Sequence, residues 1–205
     1  NGRKIVMSVT KQAWIYAFDR LTGEPIWPIV ERPVPKGDVP GEWYSPTQPF
    51  PTRPAAFDRQ GFTEEDLIDY TPELRAMALE AVQDFRLSKT IFTPPSLQDH
   101  PDGTRGLLSL PSSTGGANWE HSAFDPETGI VYVPSRTQLQ VLALAKNPDS
   151  DIELSQGFGV RAPRVQGLEI VKPPYGRVTA IDMNSGEHLW WIANADTPER
   201  IKNHP

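Results

Sequence analysis

Apolar and polar positions alternate along several short segments of this chain, and only one stretch carries a helical period. Lys4-Ile5-Val6-Met7-Ser8-Val9 and Ala13-Trp14-Ile15-Tyr16-Ala17-Phe18 read as two strands with Thr10 and Lys11 at their junction. Ile130-Val131-Tyr132-Val133 reads as another strand, entered from a turn. The helical stretch begins at Thr71, a good N-cap, with Pro72 at the first helical position and Glu73 complementing the helix dipole. Leu74, Met77, Ala78, Ala81, Val82 and Phe85 then recur at helical spacing, giving one apolar face to lay on the rest of the protein. Thr63-Glu64-Glu65-Asp66-Leu67-Ile68 reads as the start of a shorter helix before it.

A repeat underlies the strand pattern. Ala17-Phe18-Asp19-Arg20-Leu21-Thr22-Gly23-Glu24-Pro25-Ile26-Trp27 matches Ala180-Ile181-Asp182-Met183-Asn184-Ser185-Gly186-Glu187-His188-Leu189-Trp190 at Ala, Asp, Gly, Glu and Trp. A partial copy, Ala123-Phe124-Asp125-Pro126-Glu127-Thr128-Gly129, keeps the turn without the tryptophan and reads as the same hairpin on another blade. In each copy the aspartate can bond the turn backbone, and glycine takes the positive φ that closes it. The tryptophan supplies a flat apolar surface suited to packing one sheet on its neighbour. Units of this kind, stacked radially, make a propeller. The separation of Ala17 from Ala180 suits about three blades at roughly 40–50 residues each, plus an insertion. That insertion is placed at about 31–95, because prolines at 33, 35, 40, 46, 49, 51 and 54 stop a helix or a central strand. The expected fold is therefore all-β, a partial propeller over 1–205 with a Pro-rich and helical insertion.

Composition supports this picture and narrows the chemistry. The 15 glycines and 22 prolines among 205 residues suit a turn-rich protein, and a hydrophobic share of 38% supports a core. A net charge of −6 argues against a sequence-independent grip on nucleic acid. With no cysteine there is no disulfide framework, thiolate metal site or cysteine nucleophile. No apolar run is long enough for a membrane helix. The opening Asn1-Gly2-Arg3, lacking an initiator methionine, and the close on Asn203-His204-Pro205 read as a piece of a longer chain.

Three places offer chemistry. Lys11 stands at a hairpin tip, where a lysine is ordinarily just solvated. Thr114-Gly115-Gly116-Ala117-Asn118-Trp119 pairs glycines, which admit close backbone approach, with an amide that both donates and accepts. Glu120-His121 follows, a carboxylate and an imidazole that suit acid–base work if they face a cavity and are otherwise a surface pair. His100, His188 and His204 are scattered without metal-ligand spacing, so no protein metal ligand is assigned. The chain has no G-x-S-x-G, phosphate loop or G-x-G-x-x-G, and Gln156-Gly157-Phe158-Gly159 holds only an isolated G-x-G.

On these residues the chain resembles the pyrroloquinoline-quinone (PQQ) dependent dehydrogenases, in the branch related to quinoprotein glucose dehydrogenase. The matching pieces are Lys11 with Trp14 to Gly23, Arg32-Pro33-Val34-Pro35, Tyr44 to Phe50, Ile91 to Ser96, Gly115 to Trp119, Phe124 to Gly129 and Tyr175 to Asp182. The resemblance implies an eight-bladed propeller with tryptophan-docking repeats, PQQ across its axis and a calcium or magnesium ion beside it. It puts Lys11 at the quinone oxygens and Asn118 and Trp119 near the cofactor. Donors there would stabilise the negative charge that hydride transfer builds on those oxygens. Glu120-His121 depart from the small residues usual in the family after that tryptophan. The general base and the metal shell are expected in blades outside this chain. The implied function is oxidation of a sugar or other alcohol, with electrons passed to a quinone or cytochrome, in the periplasm. Two rivals are a non-enzymatic propeller scaffold of the outer-membrane assembly-factor kind and a carbohydrate-binding or hydrolytic propeller. Lys11, the Gly-Gly-Ala-Asn-Trp turn and the Pro-rich insertion argue against the scaffold.

Overall fold

A computed structural model describes residues 2–118, 121–157 and 159–204. In chain order it begins with β1 (Ile5–Val9), β2 (Ile15–Asp19), β3 (Ile29–Pro33), β4 (Thr47–Pro51) and the helix α1 (Pro72–Ala81). Short strands follow: β5 (Arg86–Leu87), β6 (Ser96–Leu97), β7 (Leu107–Ser109) and β8 (Ala123–Asp125). The longer β9 (Ile130–Arg136) and β10 (Gln140–Ala145) lead to two-residue strands β11 (Ser155–Gln156), β12 (Arg164–Val165) and β13 (Leu168–Glu169). The chain closes with β14 (Gly176–Asp182), β15 (Glu187–Ala193) and a single turn, α2 (Glu199–Lys202). No helix among the described residues is long and apolar enough to cross a membrane.

The repeat hairpins form one body. Strands β8, β9, β14 and β15 make a four-stranded antiparallel sheet in the order β15-β14-β9-β8, and β1 pairs with β2 as a separate antiparallel hairpin. Ala13, Ile15, Ala17, Phe57, Val131, Val133, Ile181 and Met183 interdigitate between the hairpin and the sheet as one core. Fully burying each Ile or Val there contributes about 1.5–3 kcal/mol relative to exposure. The Asp125 turn and the Asp182 turn lie in the same sheet, which corrects the expectation that Ala123 to Gly129 belongs to another blade. They are neighbours: Met183 N–H donates to the Gly129 carbonyl at 2.9 Å and Asn184 Nδ2 to the Thr128 carbonyl at 3.2 Å. Their separation along the chain comes from a second excursion, residues 137–175, between β9 and β14.

Tryptophan docks as the repeat implies at Trp27. Its ring packs over the turn of the Ala180 copy, so closely that a Cβ at Gly186 would lie 2.9 Å from Trp27 Cζ2. Arg53 Nη1 adds a bond to the Ser185 carbonyl at 3.0 Å. The equivalent Trp190 lies on β15, at the edge of its sheet, half-exposed and tilted against Tyr132.

A second core holds the helix. Thr71 caps α1 by accepting the Leu74 N–H at 3.2 Å, and Leu74, Ala78 and Val82 turn inward. They pack on Leu108, Leu110, Val165, Leu168, Ile170 and Val171, so the helix is covered largely by the 137–175 excursion rather than by the repeat sheet. Met77 falls outside the buried face and is exposed. The segment after Thr63 closes as a 3₁₀ turn, Glu64–Asp66, whose Asp66 carboxylate accepts the Thr63 N–H at 2.8 Å. The Pro-rich stretch does carry strand, but only as the two-stranded ribbon of β3 and β4, where each proline needs no ladder partner on its outer side.

The turn aspartates are held ionised. The Arg3 guanidinium, then the Leu21 and Thr22 N–H groups, lower Asp19; the Thr128 hydroxyl and Glu127 N–H lower Asp125; the Asn184 N–H, then its amide and the Ser185 hydroxyl, lower Asp182. A carboxyl lowered on folding adds stability that is complete above the ordinary value of 3.8 and is lost as pH falls through the lowered value. Asp182→Asn is accordingly expected to melt lower than the parent near neutral pH and to show a shallower loss of Tm between about pH 6 and about pH 3. Parallel Tm-against-pH slopes would remove Asp182 from acid lability. Gly186→Ala, at φ +75 and against Trp27, is expected to cost roughly 1–3 kcal/mol in a thermal melt.

Candidate functional site

Lys11 occupies the tip between β1 and β2. Thr10 N–H and its hydroxyl both donate to the Trp14 carbonyl at 2.9 Å, Ala13 N–H donates back to the Thr10 carbonyl at 3.1 Å, and Ala13 takes a left-handed φ of 67°. This tight closure projects Lys11 from the hairpin. The glycine turn is laid against the same tip: Gly116 N–H donates to the Lys11 carbonyl at 2.9 Å, and Lys11 Nζ donates to the Ser113 carbonyl at 3.3 Å. Gly115, at φ +93, approaches so closely that a Cβ there would sit 2.6 Å from Lys11 Cβ. Two segments more than a hundred residues apart in the chain are thus joined backbone to backbone.

Asn118 ends the described part of that turn. With Met7, Val9, Ala117, His121 and Ser122 it lines a small cavity of about 270 Å³ beside β1. His121 faces the same cavity and takes φ 56°, a conformation uncommon for a residue with a side chain. Lys11 does not line it. Trp119 and Glu120 lie outside the described residues. A larger cavity of about 1030 Å³ opens at the far end of β9 and β14, with Arg136, Tyr175 and Gly176 on one wall and Tyr70, Leu74 and Ile201 on the other.

Behind the glycine turn sits a buried acid that sequence reading passed over. Asp58 accepts the Ser135 hydroxyl at 2.5 Å, the Thr137 hydroxyl at 2.8 Å and the Arg59 N–H at 2.7 Å, and Arg177 Nη2 lies 3.4 Å from its Oδ1. A buried carboxylate needs such saturation, because desolvating it unpaired is prohibitive. Arg59 also donates to the Lys172 and Pro174 carbonyls at 2.7 and 3.0 Å, and its guanidinium is lowered by burial and then by the nearby Arg177. Arg177 lies over the Trp191 ring at 4.8 Å. The signal for this cluster was the alternation Val131, Val133, Ser135, Thr137: two hydroxyls at inward positions of a core strand require a buried polar partner.

The remaining histidines stand apart. His100 Nδ1 pairs with Asp102 at 2.6 Å, His188 Nε2 with the Ala55 carbonyl at 3.1 Å, and His204 Nε2 with the Gln166 carbonyl at 2.9 Å. No group of three or more His, Asp or Glu among the described residues could hold a metal ion. The structure brings Lys11 against the Gly115–Gly116 turn, places Asn118 on the small cavity and Arg136 on the larger one, and shows no single cavity among the described residues that all three share.

A family profile described as "PQQ: Glucose/ethanol/alcohol dehydrogenase, beta-propeller domain" matches residues 1–205. Quinate/shikimate dehydrogenase (quinone) of Acinetobacter baylyi is 30% identical over 204 residues, covering 89% of this chain and 24% of its own length. Glycerol dehydrogenase large subunit of Gluconobacter thailandicus is 30% identical over 212 residues, covering 89% and 27%. Quinoprotein glucose dehydrogenase of Escherichia coli is 26% identical over 220 residues, covering 93% and 26%. The chain spans about a quarter of the length of these curated relatives.

Gly115→Ala tests the contact that joins the two segments. It forces a side chain into left-handed φ and onto Lys11, so a loss of roughly 1–3 kcal/mol is expected in a melt. An unchanged Tm would mean that the tip and the turn are not held together this tightly.

Proposed function

The chain belongs to the family of PQQ-dependent glucose, ethanol and alcohol dehydrogenase β-propellers, and from that premise we propose that the protein carrying it oxidises a hydroxyl of a sugar or other alcohol with PQQ as cofactor. The observation that carries the reading is the junction of the Lys11 tip with the Gly115–Gly116 turn, which sets a cation beside the segment bearing Asn118. The relatives are named for quinate or shikimate, glycerol and glucose, all of which bear hydroxyl groups. That range supports a polyhydroxylated substrate class rather than one compound.

When bound, PQQ supplies the capacity to accept two electrons from the alcohol carbon. The chain's own residues bind and polarise. Lys11 Nζ holds Ser113 through a long, exposed hydrogen bond, which is cheaply exchanged for a ligand oxygen. From there its ammonium would stabilise negative charge growing on that oxygen. The Asn118 amide would add a neutral donor from the cavity wall, and Trp119 is proposed as its neighbour at the cofactor. The calcium or magnesium ion is proposed to take its ligands, and the reaction its general base, from other parts of the propeller. A quinone or cytochrome is the proposed electron acceptor, and the periplasm the proposed location.

The test is PQQ binding by the full-length protein with calcium or magnesium, followed by absorbance, then dye reduction across a panel of aldoses and alcohols. Metal-dependent binding with turnover is expected. No binding with either ion would favour a scaffold propeller. Lys11→Ala should lower turnover by about 10²–10³-fold at saturating PQQ while leaving Tm nearly unchanged, because the side chain is exposed. Unaltered turnover would take Lys11 out of the site.

A further inference from the structure

We propose that Asp58, which belongs to none of the motifs that carry the family reading, is a positioning residue that sets the geometry of the Lys11 tip and the Gly115–Gly116 turn; the proposal rests on the PQQ reading above. Ser135 and Thr137 are two apart on an extended segment, so both side chains fall on the same face. Asp58 takes a hydroxyl from each, at 2.5 and 2.8 Å. Arg136, between them, is turned the other way and is exposed. Its N–H donates to the Gly116 carbonyl at 2.7 Å and its Nη2 reaches Thr114 Oγ1 at 3.3 Å. Gly116 N–H in turn donates to the Lys11 carbonyl at 2.9 Å. The carboxylate therefore fixes the strand end that fixes the turn that fixes the lysine.

A second route runs to the same tip. Phe57 N–H donates to the Ala13 carbonyl at 2.9 Å, two residues from Lys11, while Thr179 Oγ1 donates to the Phe57 carbonyl at 3.0 Å. Asp58 adjoins Phe57, so both routes share one short segment. The three residues are close neighbours: a Cβ at Gly116 would lie in ordinary contact with Ala13 Cβ at 3.4 Å and Asp58 Cβ at 3.8 Å. The charge matters as well as the shape. Arg59 and Arg177 both face this one carboxylate, and each keeps a buried Nε without a hydrogen-bond partner among the described residues. Removing the negative charge leaves the Arg59 and Arg177 guanidiniums to repel each other with no carboxylate to offset it, which disturbs the segment that Asp58 anchors.

The experiment compares the full-length protein with its Asp58→Asn variant by amide hydrogen exchange and by PQQ titration. In the variant the Gly116 and Arg136 amides should exchange at least about tenfold faster, with the amides of β10 unchanged. PQQ affinity should fall about tenfold or more, the usual scale for misplacing a binding group. Ile170→Ala, which weakens the other core, serves as the control and should leave PQQ affinity intact. Unchanged exchange at Gly116 and Arg136 overturns the proposal, and so does an equal loss of affinity in both variants. Should Asp58→Asn fail to fold, Ser135→Ala removes one hydroxyl while keeping the charge, and the same two readouts decide. If the parent itself does not bind PQQ, the functional reading falls, and the exchange measurement still judges Asp58.

Discussion

A carboxylate buried at Asp58 must be fully solvated by protein, and meeting that requirement organises the rest of the molecule. Ser135 and Thr137 come from the end of β9, Arg177 from β14, and the Asp58 segment itself is strung to the hairpin tip at Ala13. One group therefore ties the repeat sheet, the β1–β2 hairpin and the exit of the Pro-rich excursion together. The Ser135 and Thr137 hydroxyls bond a charged oxygen, so each is worth more than a neutral bond and is directional, and Arg177 adds an ion pair at 3.4 Å.

Around that point the chain divides its apolar residues into two cores with different tasks. The first, between the hairpin and the four-stranded sheet, is a contact of one repeat with the next, sealed at its edge by Trp27 over Gly186. The second joins α1 to the 137–175 excursion and to Leu108 and Leu110. Two long excursions leaving the sheet thus bury each other's apolar faces. Each alone would expose an apolar surface that water disfavours.

The candidate site stands where these bodies meet, and its residues come from separated stretches of chain. Lys11 belongs to one repeat, Asn118 to the connection entering the next, and Arg136 to the strand end behind them. The backbone there is already pinned by the Gly116 and Arg136 hydrogen bonds. Such pinning is what an electrostatic site requires, since donors that need no rearrangement lose least when charge develops before them.

The amino-acid sequence by itself determined the features that close within a few residues: the Asp-x-x-Thr/Ser-Gly turns, the Thr71 cap and inward face of α1, and the Lys11 hairpin tip. Their donors, acceptors and φ preferences are neighbours in the chain, so pattern and propensity suffice. The family was legible for the same reason, because its motifs are strings of such local features. Only the tertiary structure decided that the Asp125 and Asp182 turns share a sheet, that the 137–175 excursion covers α1, and that Asp58 lies beneath the glycine turn. These depend on partners far apart in the chain, 77 and 79 residues for the two hydroxyls on Asp58. Periodicity shows that a face is apolar or that an inward hydroxyl needs a partner, but which distant group answers is fixed by how the whole chain packs.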